Sequence, residues 1–182
     1  MRTHRLLSAL ALALLGGTVL AAGLKSGPQV DDKVPGPFHP LNINGDNAGK
    51  KNCLYCENGP RPVAMVFARE VTPETTKLIK ALDACTTKNK GDMGSFVVFL
   101  GKSEELEKKL KNLVKEAGLK STILAIDNPA GPEGYGVAKD ADVTVVLYRE
   151  FKVKANHAFK KGELKDSDIK AVVADLPKIL KE

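Results

Sequence analysis

Three short apolar runs that alternate with helical segments constrain the fold of this chain more than any other feature. The runs at 63–68, 96–100 and 122–126 have the length and apolar character of buried strands. The residues between them, at 73–87 and 103–117, carry apolar side chains at helical spacing. Strands that alternate with helices in this way form a largely parallel sheet with helices on its faces. The sequence therefore predicts an α/β fold.

Capping residues support both predicted helices. Thr72 precedes Pro73 at the start of the first helix, which is the usual order of an N-cap and a first helical residue. Ser103 is the predicted N-cap of the second helix, and Gly118 is the residue at which that helix is expected to end.

The carboxyl-terminal part predicts a hairpin and one more helix. A turn-rich link at 127–134 is followed by apolar runs at 143–148 and 151–158, which predict two antiparallel strands. Asp166 or Ser167 is the predicted N-cap of the final helix. Because a hairpin after parallel strands adds an antiparallel edge, the predicted central sheet is mixed.

The amino-terminal residues predict export. Arg2 and Arg5 precede an apolar run at 6–20, which ends in small residues typical of a cleavage site. We therefore predict a signal peptide at 1–21, and a secreted or periplasmic protein that does not bind the membrane after cleavage. A transmembrane anchor is the alternative, although the run is short for a span.

The rest of the chain predicts one domain with a long entrance segment. Residues 22–62 are rich in Gly, Pro, Asn and Asp, which predicts an extended lead-in with little regular structure. Residues 63–182 form the predicted folded domain. The formal net charge of +6 is scattered along the chain, and the sequence has few aromatic residues and no Trp. Nucleic-acid binding needs a basic patch with stacking aromatics, so we do not expect it here.

Cys53 and Cys56 form a C-x-x-C pair, which is the most informative motif for function. An exported protein can keep such a pair oxidised, and the short spacing suits thiol–disulfide exchange. Lys50 and Lys51 precede the pair and would favour a thiolate over a thiol. Two other interpretations stay open: a structural disulfide that closes a short loop, and a site for a soft metal such as copper(I).

The other sulfur and imidazole groups have simpler interpretations. Cys85 lies on the apolar face of the first predicted helix, where we expect it to pack in the core. A metal site at Cys53 and Cys56 would need further ligands, for which His39 and His157 are the candidates. No spacing requires either histidine to approach the pair, and no pattern in the chain indicates a cofactor.

The element order and several local strings resemble the thioredoxin-like superfamily, in particular its exported redoxin and peroxiredoxin-like branch. The resemblance covers roughly residues 27–180 and is carried by the strings at 27–38, 41–45, 126–127, 135–137 and 143–147. It implies a three-layer α/β/α sandwich with a central mixed sheet. It also implies thiol or disulfide chemistry.

The resemblance breaks down at the usual reactive position. In thioredoxins the C-x-x-C pair follows the first core strand and opens the next helix, and in peroxiredoxins a T-x-x-C motif lies there. Residues 69–75 contain no cysteine, and Thr75 stands where the peroxiredoxin cysteine would be. Val143 stands where the superfamily carries a proline, usually cis. We therefore predict that the cysteine pair lies in the irregular lead-in, away from any helix start, and we do not expect ordinary peroxidase chemistry.

The function predicted from the sequence is thiol–disulfide exchange with Cys53 and Cys56 as the catalytic pair. The expected partners are other exported proteins that carry thiols or disulfides. The alternative is a non-catalytic binding module that keeps the thioredoxin fold. In that case the pair is a structural disulfide or a copper(I) site.

Overall fold

The structure, a computed structural model, describes residues 23–180, so the predicted signal peptide at 1–21 lies outside the described residues. Within residues 23–180 the chain forms six strands and five helices. In chain order these are β1 (Leu41–Asn42), α1 (Leu54–Asn58), β2 (Val63–Ala68), α2 (Pro73–Lys88), β3 (Gly94–Leu100), α3 (Glu104–Ala117), β4 (Ile123–Asp127), β5 (Val143–Arg149), β6 (Lys152–Phe159), α4 (Asp166–Asp175) and α5 (Pro177–Leu180). None of the helices in this range is both long and apolar enough to cross a membrane.

The strands form one mixed sheet in the order β1-β4-β3-β2-β5-β6. The three central strands β2, β3 and β4 run parallel to one another. β1 pairs antiparallel with β4, and the β5–β6 hairpin joins the other side antiparallel to β2. The predicted α/β fold with a mixed central sheet is therefore confirmed.

Alternate side chains of the strands enter two apolar clusters, one on each face of the sheet. In β2, Val66 belongs to the first cluster and Met65 belongs to the second. Helices α2, α3, α4 and α5 all contribute to the first cluster. The second cluster is covered by Leu54 of α1, by Phe38 of the lead-in and by Tyr135 of the link between β4 and β5. The second face of the sheet is thus covered mostly by irregular chain.

The predicted caps of α2 and α3 are confirmed. The side chains of Thr72 and Ser103 each accept a hydrogen bond from the backbone N–H three residues later. Gly118 ends α3 at a φ of 64°, a left-handed conformation that glycine adopts without a steric penalty.

The predicted cap of the final helix is wrong. Lys165 holds the N-cap position, and its backbone N–H donates to the carboxylate of Asp168 at 2.8 Å. Asp166 is the first helical residue, and its carboxylate pairs with Lys77 of α2 at 2.8 Å. Ser167 is the second residue of α4 and is exposed.

The lead-in contains two short elements that the sequence did not predict. In β1, Leu41 pairs with Ile126 of β4, which makes the lead-in part of the sheet. In α1, Leu54 is 1% exposed because it packs in the second cluster. Both elements depend on contacts with residues far away in the sequence, which composition does not reveal. The division of the chain into 22–62 and 63–182 remains a prediction.

Candidate functional site

The Cys53–Cys56 disulfide lies at the start of α1. Cys53 is the N-cap residue of this helix, Cys56 lies in its first turn, and their Cα atoms are 5.2 Å apart. The prediction that the pair lies in an irregular segment, away from any helix start, is therefore wrong. The physical reason is the burial of Leu54, which follows Cys53 and anchors the first turn of the helix on the sheet.

Further contacts hold α1 in place. The ring of Tyr55 packs against that of Phe151 in the β5–β6 turn, with centroids 5.1 Å apart. Arg61, just after the helix, donates to the backbone oxygens of Glu57 and Asn58, each at 3.1 Å. A helix of five residues is not stable alone, so these contacts with the rest of the domain keep it folded. The disulfide thus belongs to an ordered element of the surface.

The two cysteines of the pair differ in exposure and in hydrogen bonding. Cys53 is 7% exposed, whereas Cys56 is an exposed residue. The backbone N–H of Cys56 donates to Sγ of Cys53 at 3.1 Å. Lys50 and Lys51, just upstream, are both exposed. The pair therefore has one buried cysteine, whose sulfur accepts a hydrogen bond, and one exposed cysteine.

The same helix forms one wall of a cavity of about 550 Å³ near the amino ends of β3 and β4. Leu54, Glu57 and Asn58 line this wall, and neither cysteine is among the lining residues. At roughly 100° of rotation per residue, Cys56 projects from a different side of α1. The cavity and the exposed sulfur are therefore separate features of the surface.

The position that follows the first core strand contains no sulfur. Thr75, which stands there, is 1% exposed. Its hydroxyl lies 3.0 Å from the hydroxyl of Thr72, which also accepts the backbone N–H of Thr75 at 3.1 Å. A threonine hydroxyl without a dedicated base is a poor nucleophile. The two hydroxyls complete the cap of α2 rather than form a reactive group.

Arg69 has a structural role that the sequence did not predict. Its guanidinium donates to the backbone oxygens of Ala141 and Pro129, each at 2.8 Å, and of Ala138 at 3.1 Å. All three acceptors belong to the irregular link between β4 and β5. The arginine thereby fixes this link beside Val143, the first residue of β5, which pairs with Ala68.

The third cysteine packs as expected. Cys85 is free and partly buried on α2, where it contacts the first apolar cluster. Burial raises the pKa of its thiol, although Lys88 acts in the opposite direction. A raised pKa leaves less thiolate at neutral pH, so this thiol is a weak nucleophile.

The candidate metal ligands do not come together in the part of the chain that the structure describes. Nε2 of His157 lies 3.0 Å from a carboxylate oxygen of Asp175 on α4. His39 is exposed in the lead-in. Residues 23–180 hold no group of three or more His, Cys, Asp or Glu side chains placed to bind a metal ion.

Comparison with known proteins supports the fold. No protein-family model and no curated protein sequence matches the chain. Among solved structures, it is similar to a candidate protein disulfide isomerase from Bacteroides thetaiotaomicron, with 17% identity and a TM-score of 0.65 over 87% of this chain and 96% of that one. It is similar to peroxidoxin BcpB from Mycobacterium tuberculosis, with 15% identity and a TM-score of 0.57 over 86% and 98% of the two chains.

A third similar structure is a secreted disulfide oxidoreductase from Mycobacterium tuberculosis, homologous to Escherichia coli DsbE. It shows 11% identity and a TM-score of 0.52 over 75% of this chain and 94% of that one. Likeness at such low identity establishes the fold alone. The chain therefore has the thioredoxin-like fold that its sequence predicted.

Proposed function

We propose that this protein is an exported thiol–disulfide exchange protein whose redox centre is Cys53 and Cys56. The observation that carries the proposal is the disulfide at the start of α1, in which Cys56 is an exposed residue on an ordered surface helix. Similar solved structures include proteins whose names describe disulfide isomerase and disulfide oxidoreductase activity. This similarity supports the proposed chemistry without specifying the residues that perform it.

The proposed reaction transfers two electrons from a partner dithiol to the disulfide. A partner thiolate attacks one sulfur of the pair, which breaks the bond between Cys53 and Cys56 and forms a mixed disulfide. The second partner thiolate then attacks the partner's own sulfur in that mixed disulfide. The partner leaves with a disulfide, and the pair is left as two thiols once solvent supplies the protons. The reverse sequence reduces a partner disulfide.

The proposed location follows from the amino-terminal sequence. A signal peptide at 1–21 would deliver the protein to the periplasm or the exterior, where disulfides persist. One similar solved structure is itself that of a secreted protein. The proposed partners are other exported proteins that carry exposed thiols or disulfides.

A structural role for the disulfide is the second candidate, and the size of α1 is the observation that favours it. The helix has only five residues, and the disulfide joins its N-cap to its first turn. A covalent link there would hold a short helix that has little stability of its own. The protein would then be a binding module that keeps the thioredoxin-like fold without catalysis.

The reduction potential of the pair distinguishes the two candidates. The oxidised protein is equilibrated with dithiol buffers of known potential, and the fraction of free thiol is counted at each point. We expect a potential above roughly −300 mV, because structural disulfides in secreted proteins lie below that value. The Cys85→Ser variant provides the matched control, since it removes the third thiol and should leave the potential unchanged.

Insulin reduction supplies the activity measurement. We expect the wild-type protein and Cys85→Ser to accelerate reduction of insulin by dithiothreitol, and Cys53→Ser and Cys56→Ser to be inactive. A potential below roughly −300 mV together with no acceleration by the wild type would reject the redox proposal in favour of the structural one.

A further inference from the structure

The two sulfurs of the disulfide are not equivalent targets for a partner. Thiol–disulfide exchange proceeds by attack along the line of the S–S bond, from the side opposite the leaving sulfur. Attack on Cys56 therefore approaches from beyond its own sulfur, and Cys56 is exposed. Attack on Cys53 would approach from beyond a residue that is 7% exposed and precedes Leu54, which is 1% exposed. Cys53 is therefore the less accessible of the two residues to a partner thiolate.

Given the proposed function, we infer that Cys56 is the sulfur that exchanges with partners and that Cys53 is the sulfur that leaves and later resolves. The order along the chain is then the reverse of the one expected for a C-x-x-C pair at a helix start. In that arrangement the first cysteine, at the helix N-terminus, is the reactive thiol. Here the first cysteine is turned inward because the next residue anchors α1 on the sheet.

In the oxidised protein, the hydrogen bond within the pair supports Cys53 as the leaving sulfur. The backbone N–H of Cys56 lies 3.1 Å from Sγ of Cys53 and points at it. A donor at this place stabilises negative charge on Cys53 once the disulfide opens. A sulfur whose thiolate is stabilised leaves faster, so opening the bond from the Cys56 side is favoured for electronic as well as steric reasons.

The proposed exchange begins at Cys56. A partner thiolate forms a new S–S bond with Sγ of Cys56, the bond between Cys56 and Cys53 breaks, and its electron pair stays on Cys53 as a thiolate. If the partner offers a second thiolate, that group attacks the partner sulfur and releases Cys56, which takes a proton from water. If it does not, Cys53 attacks Cys56 again and expels the partner. Cys53 therefore limits the lifetime of the mixed disulfide.

Trapping of mixed disulfides tests this assignment. Reduced Cys53→Ser and Cys56→Ser proteins, each also carrying Cys85→Ser, are mixed with native insulin and analysed by non-reducing electrophoresis. We expect Cys53→Ser to accumulate a covalent adduct through Cys56, at a level at least about tenfold above Cys56→Ser, because exchange depends on access to the sulfur. Equal adduct levels, or more adduct with Cys56→Ser, overturn the assignment while leaving the exchange function in place.

Alkylation of the reduced Cys85→Ser protein provides a measurement that does not depend on changing either member of the pair. A bulky polyethylene-glycol maleimide is added for short times, and the modified residue is identified by mass spectrometry. We expect modification of Cys56 at least about tenfold faster than that of Cys53, because the reagent needs an accessible thiol. Faster modification of Cys53 overturns the assignment.

The two proposals fail in different ways. If no adduct forms with either variant and the wild-type protein does not reduce insulin, both the exchange function and the assignment of Cys56 as the exchanging sulfur are wrong. If the wild-type protein reduces insulin and the adduct forms only through Cys53, the function stands and the assignment alone is wrong.

Discussion

Reduction of the disulfide between Cys53 and Cys56 is the perturbation that best separates a redox centre from a structural link. The bond joins residues three apart, so it closes a ring of four residues. In the chain-entropy description, such a ring lowers the entropy of the unfolded chain by about 6 cal/mol/K, which is about 2 kcal/mol at 25 °C. A purely structural disulfide therefore contributes about 2 kcal/mol to the free energy of unfolding. For a chain of this length that is about 4–8 °C in Tm.

The reduced protein gains an opposing contribution if Cys53 becomes a thiolate. The N–H of Cys56, 3.1 Å from Sγ of Cys53, would then donate to a charged acceptor. Hydrogen bonds to charged groups contribute about 1.5–3 kcal/mol. This contribution is similar in size to the entropic one, so the two nearly cancel. We therefore expect the free energies of unfolding of the oxidised and reduced forms to agree within about 1 kcal/mol while Cys53 is ionised.

The assay is thermal or denaturant unfolding of the oxidised and reduced protein over a series of pH values. The Cys85→Ser variant is used so that only the pair responds to the reductant. In our account the hydrogen bond from the N–H of Cys56 stabilises the reduced protein only while Cys53 is a thiolate. Acid protonates thiolates, so this contribution is lost at low pH. The loss of stability on reduction should therefore grow to about 2 kcal/mol in acid.

A constant difference across the pH series would refute this reasoning. If reduction costs about 2 kcal/mol at every pH, no thiolate is stabilised and the disulfide acts as a structural link. By linkage, that difference also lowers the reduction potential of the folded protein by about 40 mV relative to the unfolded chain. The unfolding experiment and the potential therefore check each other.

Two further predictions concern polar groups elsewhere in the fold. The hydroxyl of Tyr148 is buried without a hydrogen-bond partner among the described residues, so Tyr148→Phe should raise the free energy of unfolding by on the order of 1 kcal/mol. Tyr135 donates a hydrogen bond to a backbone oxygen at 2.5 Å, so the matched Tyr135→Phe should lower the free energy of unfolding by a similar amount. Denaturant unfolding measures both changes, and changes of the same sign in the two variants contradict this explanation. Burial acts to raise the pKa of Asp175, but hydrogen bonds from Lys178 and His157 outweigh it and hold that pKa below its usual value. Asp175→Asn should therefore lower the free energy of unfolding by on the order of 1 kcal/mol at neutral pH, and this difference should disappear as the pH falls below about 4. A difference that persists in acid contradicts an ionic role.

The predicted elements that proved right are those whose signals are local. The buried run at 63–68 forms β2 without a shift in its bounds, because every residue in it is apolar and buried on both sides. The start of α2 follows from Thr72 and Pro73, whose preferences act within one turn. The spacing of apolar residues and the capping residues therefore predict an element correctly where that element depends on residues nearby in the sequence.

The elements that the sequence missed depend on distant neighbours. α1 has too few residues to show apolar side chains at helical spacing. It forms because Leu54 packs against the second face of the sheet. The sequence also does not predict that Arg69 holds the link between β4 and β5, because its three acceptors lie 60 to 72 residues away. The same limit applies to the cysteine pair. Its spacing indicates a disulfide, but only packing decides which sulfur is exposed.

The place of the disulfide and the burial of Thr75 follow from the two different faces of the sheet. On the first face, four helices pack in a continuous layer, and at the start of α2 the side chain of Thr75 is buried and bonded to Thr72. A thiol at that place would be as inaccessible as the hydroxyl that occupies it. On the second face, a five-residue helix and irregular segments form a thinner cover, and α1 carries Cys56 on its outer side. Thiol exchange needs a sulfur that a partner can reach, and in the described part of this fold the second face is where the pair meets that requirement.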